Sequence, residues 1–112
     1  MKEHLKALLE ELEHYRQGND GCFNIPPDTG QFFNMLVRIS KAKNILEIGT
    51  SNGYSTIWLA EAVKQNNGKI TTIEISEHKV KMAQDNFKRA KLDNIKIING
   101  NAKEEIPKLK EK

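Results

Sequence analysis

A single cysteine, Cys22, stands among 112 residues, so no internal disulfide can form. The start, Met1-Lys-Glu-His-Leu-Lys6, lacks the apolar core of a signal peptide, and a reducing cytoplasm is the simplest expected setting. No apolar run approaches the ~18 residues of a membrane span. Metal-ligand spacing is missing as well: His4 and His14 are ten apart and Cys22 lies beyond a helix-breaking stretch at Gln17-Gly-Asn-Asp-Gly21. All three are therefore expected to be structural or surface groups. Charge of one sign is also not concentrated anywhere. The net charge is +3, but lysines and acids alternate along helical stretches, the pattern of solvated helix faces rather than of a nucleic-acid surface.

What is present is globular. The hydrophobic share of 38% against 29% charged residues argues against a disordered chain. The length allows one domain with a real core, small for an α/β enzyme. The chain is organised around Asn44-Ile-Leu-Glu-Ile-Gly-Thr-Ser-Asn-Gly-Tyr-Ser-Thr56. Its apolar, β-branched start reads as a buried strand that stops at Gly49. A loop closed by Gly53 follows, and a helical pattern begins near Tyr54. Strand, glycine loop and helix together present free N–H groups and a positive dipole end to a ligand.

The remaining elements can be placed around this turn. Residues ~3–17 set Leu5, Leu8, Leu9, Leu12 and Tyr15 at helical spacing. Phe23 to Gly30 is extended by its prolines, after which Asp28 or Thr29 is expected to cap a helix to about Ser40. Phe32, Phe33, Leu36, Val37 and Ile39 form its apolar positions. The helix from Tyr54 to about Gln65 buries Ile57, Trp58, Leu59 and Val63, and Asn66-Asn-Gly68 ends it. A second strand covers Lys69–Ile75, Ser76 caps a helix of about Glu77–Lys91, and a third strand covers Ile95–Asn99. The tail from Lys103 reads as one or two helical turns interrupted at Pro107. Alternating strands and helices imply right-handed βαβ units, hence an α/β, Rossmann-like doubly wound parallel sheet cut to three strands in order 3-2-1. The expected division is an N-terminal helical segment, 1–42, and an incomplete sheet half-domain, 43–112.

In such sheets the ligand sits outside the carboxyl ends of the strands, at the switch point beside strand 1. The Gly49–Gly53 loop, Glu74 and Gly100–Ala102 converge there. Glu74 falls 21 positions after Gly53, the span of a helix and a second strand, where an acid accepts hydrogen bonds from both ribose hydroxyls of a nucleoside. A dinucleotide site wants G-x-G-x-x-G, whereas Gly49-Thr-Ser-Asn-Gly53 is only G-x-x-x-G and Thr56 holds the third-glycine position. A phosphate-binding P-loop wants lysine where Tyr54 stands. A nicotinamide oxidoreductase is thereby disfavoured. Glu47 ahead of the loop would repel a pyrophosphate but can order a cationic ligand's amino group, directly or through water. A nucleoside carrying an amino acid and a sulfonium, S-adenosylmethionine, fits both acids.

Glu47-Ile-Gly-Thr-Ser-Asn-Gly-Tyr-Ser55 resembles the first motif of class I S-adenosylmethionine-dependent methyltransferases. More narrowly it is similar to O-methyltransferases of the catechol and caffeoyl-coenzyme A type. Gly30-Gln-Phe-Phe-Asn-Met-Leu36 looks like the helix before that motif, and Gly100-Asn-Ala102 with Ile106-Pro107 resembles the segment after strand 3. The resemblance implies that Glu47, Gly49, Thr50 and Ser55 hold the methionine portion and Glu74 the ribose hydroxyls, with Gly53 also among the cofactor-binding residues. It places Asn101 and Ala102 against the adenine, with Asn101 where aspartate is common, and gives Ile25 a backbone contact. It also implies a divalent metal, Mg²⁺, on the acceptor hydroxyls, with ligands from strand 4 and beyond that this chain lacks. No residue is therefore nominated as catalytic or as a metal ligand. The acceptor expected is a small hydroxylated molecule; phenols and hydroxylated tRNA bases both stay open. A strand 1 with a bare edge is expected to be covered by self-association or by a missing C-terminal half. The competing expectation is a non-catalytic cofactor-binding fragment or a partner subunit.

Overall fold

The computed structural model describes residues 2–13 and 25–109. The elements are α1 (Glu3–Glu13), α2 (Pro27–Ser40), β1 (Asn44–Ile48), α3 (Tyr54–Gln65), β2 (Lys69–Glu74), α4 (Glu77–Ala90), β3 (Ile95–Asn99), α5 (Ala102–Glu105) and a 3₁₀ turn at Ile106–Lys108. The continuation of α1 past residue 13, the break at 17–21, His14, Tyr15, Cys22 and Phe23 fall outside the described residues.

The three strands are parallel, in order β1-β2-β3, as expected for half of a doubly wound sheet. Ile45, Ile70 and Ile95 form one cross-strand row, and Glu47, Thr72 and Ile97 the next. The right-handed crossovers through α3 and α4 leave both helices on one face of the sheet. Ile57 and Val63 of α3, Ile70 of β2, and Ala83 and Phe87 of α4 are buried there. Four leucines of α1 (Leu5, Leu8, Leu9 and Leu12) join Tyr54, Trp58 and Phe87 in one cluster, so the first helix belongs to the same core as the sheet helices. Burying a leucine contributes roughly 1.5–3 kcal/mol, enough for this seam to hold α1 in place. Among the described residues no helix is long and apolar enough to cross a membrane.

Two local expectations are corrected. Helix α2 starts at Pro27 with no side-chain cap, not at a cap by Asp28 or Thr29. A proline at the first helical position loses no hydrogen bond and arrives with helical φ, so the second proline starts the helix and Asp28 lies in its first turn. Moreover, the apolar positions of α2 face outward: Phe32, Phe33, Leu36 and Ile39 are exposed. The side that α2 turns to α3 carries Gly30 and Asn34 instead. A Cβ at Gly30 would lie 2.5 Å from the Trp58 indole, so the two helices approach through a missing side chain. Asn34 Nδ2 donates to Trp58 O at 2.7 Å and to Glu61 Oε1 at 2.8 Å.

The remaining boundaries follow their signals. Asn67 takes a left-handed φ of 60°, and Asn67 N and Gly68 N donate to Lys64 O and Val63 O, closing α3. Ser76 Oγ accepts from Lys79 N and caps α4. The tail forms α5 and then a 3₁₀ turn beginning at Ile106, with Pro107 accommodated in its first positions.

Candidate functional site

Strand pairing brings the three loops after β1, β2 and β3 to one edge. The ladder runs into them: Gly49 N donates to Ile73 O at 2.8 Å, and Gly100 N to Glu74 O at 3.0 Å. Gly49 has φ 88°, and a Cβ there would meet nothing within 4 Å. The loop therefore leaves the strand in a conformation that favours glycine and keeps open space beside its backbone. Ser51 (φ 54°) and Gly53 (φ 92°) continue this left-handed path. Asn52 Oδ1 accepts from Tyr54 N at 3.1 Å, while Asn86 Nδ2 donates to Asn52 O at 2.8 Å, tying the loop to α4.

Glu74 joins two of the loops. Its Oε1 accepts from Ser51 N at 2.8 Å and its Oε2 from Ser76 N at 3.0 Å. Asn99 Nδ2 donates to Glu74 O at 3.0 Å, holding the strand end from the β3 side. Each carboxylate oxygen retains capacity for a second hydrogen bond. Asn101 Oδ1 accepts from Lys103 N at 2.8 Å, so this residue starts α5, with Ala102 beside it, both half-buried.

Glu47 is largely enclosed beneath the start of α3. Its Oε2 accepts from Ser55 Oγ at 2.5 Å, and its Oε1 accepts from Thr56 Oγ1 and from Thr72 Oγ1, the latter at 2.8 Å. Burial pushes its carboxyl above the ordinary value of 4.5; the hydroxyls of Ser55, Thr56 and Thr72 pull it down, and the Glu74 charge adds to the rise. Thr50 is buried, its hydroxyl 2.6 Å from that of Thr72, so its side chain serves this cluster and its backbone borders the loop. Ser55 is bonded to Glu47, so these two act as one polar unit. Ile25 packs against the hydrophobic cluster just ahead of α2. Thr56, Thr72, Asn52 and Asn86 went unmarked in the sequence. The one available signal was the pair Thr71-Thr72 inside an otherwise apolar strand.

The raised Glu47 carboxyl carries a pH signature. The folded state holds this proton more tightly than the unfolded state, so the stabilisation it confers is complete below the unfolded value. It is lost as pH rises through the folded one. Replacing Glu47 by glutamine keeps acceptors for Thr56 and Thr72 without burying a charge. Glu47→Gln is expected to be more stable than wild type at neutral pH, with a higher Tm, and to flatten the stability–pH curve. Thermal unfolding from pH 4 to 8 checks this; an unchanged curve rules the charge out as a burden on the fold.

The fit to the two expected groups differs. An open backbone cradle at Gly49, a strand-end acid at Glu74 and a buried, unpartnered Ser51 hydroxyl beside them suit a nucleoside with a charged amino-acid tail. The residues do not suit a metal: among the described residues no three His, Cys, Asp or Glu side chains cluster, and no step is assigned to one.

Comparison with known proteins identifies the family. The family pattern for O-methyltransferases matches residues 2–112. Catechol O-methyltransferase from Niastella koreensis is 37% identical over 106 residues, covering 94% of this chain and 48% of that protein. An O-methyltransferase from Bacillus cereus solved in complex with SAH is 35% identical with a TM-score of 0.82, covering all of this chain and 50% of that one. The O-methyltransferase TomG from Streptomyces achromogenes, solved with SAM, is 28% identical with a TM-score of 0.81, covering 99% of this chain and 48% of that one. The chain thus spans about half the length of the relatives it matches. It belongs to the S-adenosylmethionine-dependent O-methyltransferase family, of the group that includes catechol O-methyltransferases.

Proposed function

We propose that this chain binds S-adenosylmethionine at the carboxyl ends of its strands, as the cofactor portion of an O-methyltransferase. The acceptor proposed is a hydroxyl of a small phenolic, catechol-like molecule, in a reducing, cytoplasmic setting. The observation that carries the reading is the open Gly49 cradle lying between two carboxylates, half-buried Glu47 held by hydroxyls and buried Glu74 at the end of β2 held by loop N–H groups. The relatives solved with SAH and SAM support it.

When bound, the cofactor supplies a sulfonium methyl that an acceptor oxygen displaces in line. The chain's own task is positioning. Glu47 with Ser55 faces the amino-acid tail, Gly49, Thr50 and Gly53 border it through backbone, and Glu74 accepts from the ribose hydroxyls. Asn101 and Ala102 lie toward the base, and Ile25 contributes backbone from the start of α2. Calorimetric titration with S-adenosylhomocysteine, with NAD as control, tests the reading. Binding of the first alone is expected; a folded chain that binds neither overturns it.

A second reading, a non-catalytic cofactor-binding fragment or a partner subunit, is favoured by one observation. Among the described residues no strand pairs with the free edge of β1, and Leu46 and Ile48 are exposed. Such an edge supports pairing with a further strand, from a second copy or from additional chain. A clean monomer by light scattering counts against the second copy. Turnover of a catechol by this chain, with or without Mg²⁺, counts against the non-catalytic reading.

A further inference from the structure

The carboxylate of Glu47 is held by three hydroxyls, and one of them comes from a separate strand. Ser55 and Thr56 belong to the first turn of α3, whereas Thr72 reaches across from the middle of β2. The register makes this contact: Glu47 and Thr72 are direct partners in the β1–β2 ladder and point to the same face. Thr72 is fully buried, and its hydroxyl also meets that of Thr50, at 2.6 Å, which is itself buried in the glycine loop.

Hydrogen counting gives this chain a direction. An ionised carboxylate only accepts, and each threonine hydroxyl has one hydrogen to give. With Glu47 ionised, Thr72 donates to Glu47 and Thr50 must therefore donate to Thr72. The loop, the central strand and the carboxylate are then joined by one ordered relay, Thr50 to Thr72 to Glu47. We propose that Thr72 is a positioning residue of the cofactor site, holding Glu47 as an aimed anion and latching the glycine loop to β2. The proposal rests on the cofactor reading above for what the anion does, but not for its existence.

The surroundings leave the hydroxyls as the main support of the charge. Among the described residues, Glu74 is the charged side chain acting on Glu47, and it opposes ionisation, as burial does. The first turn of α3 carries no acid, and the third member of the same sheet row is the apolar Ile97. The start of α3 favours the anion through the positive end of the helix dipole. Removing the Thr72 hydroxyl therefore takes away one of three donors from a group that burial already disfavours as an ion.

Thr72→Val keeps shape and removes the donor; Thr72→Ser keeps the donor and removes a methyl. Carboxyl ¹³C NMR of the unliganded chain reads the titration of Glu47 directly, with Glu47→Gln to assign the signal. Glu47 is expected to titrate higher in Thr72→Val than in wild type, and Thr72→Ser is expected to restore it. Affinity for S-adenosylhomocysteine should fall about tenfold in Thr72→Val at mildly acidic pH, the worth of one charge-assisted hydrogen bond, and recover as pH rises. An unmoved Glu47 titration, or a loss of affinity equal at every pH, overturns the role of Thr72. If Thr72→Val does not fold, Thr50→Val interrupts the same relay one step earlier and must move Glu47 in the same direction. If wild type fails to bind the ligand, the cofactor reading falls while the titration still decides whether Thr72 holds the anion.

Discussion

Glu74→Ala is expected to lower affinity for S-adenosylhomocysteine by about 100-fold or more, since two hydrogen bonds to a charged acceptor are each worth ~1.5–3 kcal/mol. Part of this loss comes through the protein itself. Ser51 N and Ser76 N both donate to this carboxylate, so the loops after β1 and β2 lose their common anchor along with the ribose contact. Glu74→Gln separates the two contributions. It keeps one acceptor oxygen for Ser51 N but presents no charge, and an intermediate loss of about tenfold is expected. Calorimetry on the two variants, with circular dichroism to establish folding, is the measurement. Affinity within threefold of wild type in Glu74→Ala would remove Glu74 from the site and leave it a loop anchor only.

The second large effect is on stability. Gly53→Ala should cost about 3 kcal/mol or more, because two independent penalties coincide there. The residue has φ 92°, which a Cβ disfavours, and the added carbon would lie 2.6 Å from Cε1 of Phe87. The ring has little room to withdraw, since Phe87 is buried in the cluster with Tyr54, Trp58 and the α1 leucines. A domain of this size would lose roughly 4–8 °C in Tm per kcal/mol. Trimming the ring in Gly53→Ala/Phe87→Leu should recover the clash but not the backbone strain, giving a measurable coupling energy between the two sites. Urea unfolding of the two single variants and the double variant reads it. A cost below about 1 kcal/mol for Gly53→Ala would mean that the loop can rearrange without its glycine.

This close approach explains why the loop after β1 takes the shape it does. Gly53 lets the start of α3 press against α4, and Asn86 from α4 returns a hydrogen bond to Asn52 O. The loop is thus held from the helix side by packing and from the strand side by Glu74 and the Thr50–Thr72 contact. Its open side is at Gly49, where an added Cβ would meet nothing within 4 Å.

Local sequence determined the elements and the place of the candidate site. Runs of β-branched residues placed all three strands, Asn66-Asn67-Gly68 and Ser76 placed helix ends, and the spacing from Gly53 to Glu74 placed an acid at a strand end facing a glycine loop. These signals are short-range, so one chain read in order suffices to see them. The start of α2 was missed because two competing signals, an extended-favouring Pro26-Pro27 pair and a capping Asp28-Thr29 pair, lie side by side. Backbone φ at Pro27 decided between them. The outward turn of Phe32, Phe33, Leu36 and Ile39 was not legible either, because Gly30 and Asn34 made the contact with α3 that apolar residues usually make.

Tertiary structure alone decided what surrounds Glu47. Its partners Ser55 and Thr56 are eight and nine residues away, but Thr72 lies 25 residues on, and only the parallel register of β1 with β2 makes it a neighbour. A one-residue slip would point Thr72 to the opposite face and leave a half-buried carboxylate short of a donor. The sequence by itself therefore determined that an acid stands at the head of the loop. Strand pairing determined that this acid is partly enclosed, resists ionisation and is held by a hydroxyl from the neighbouring strand.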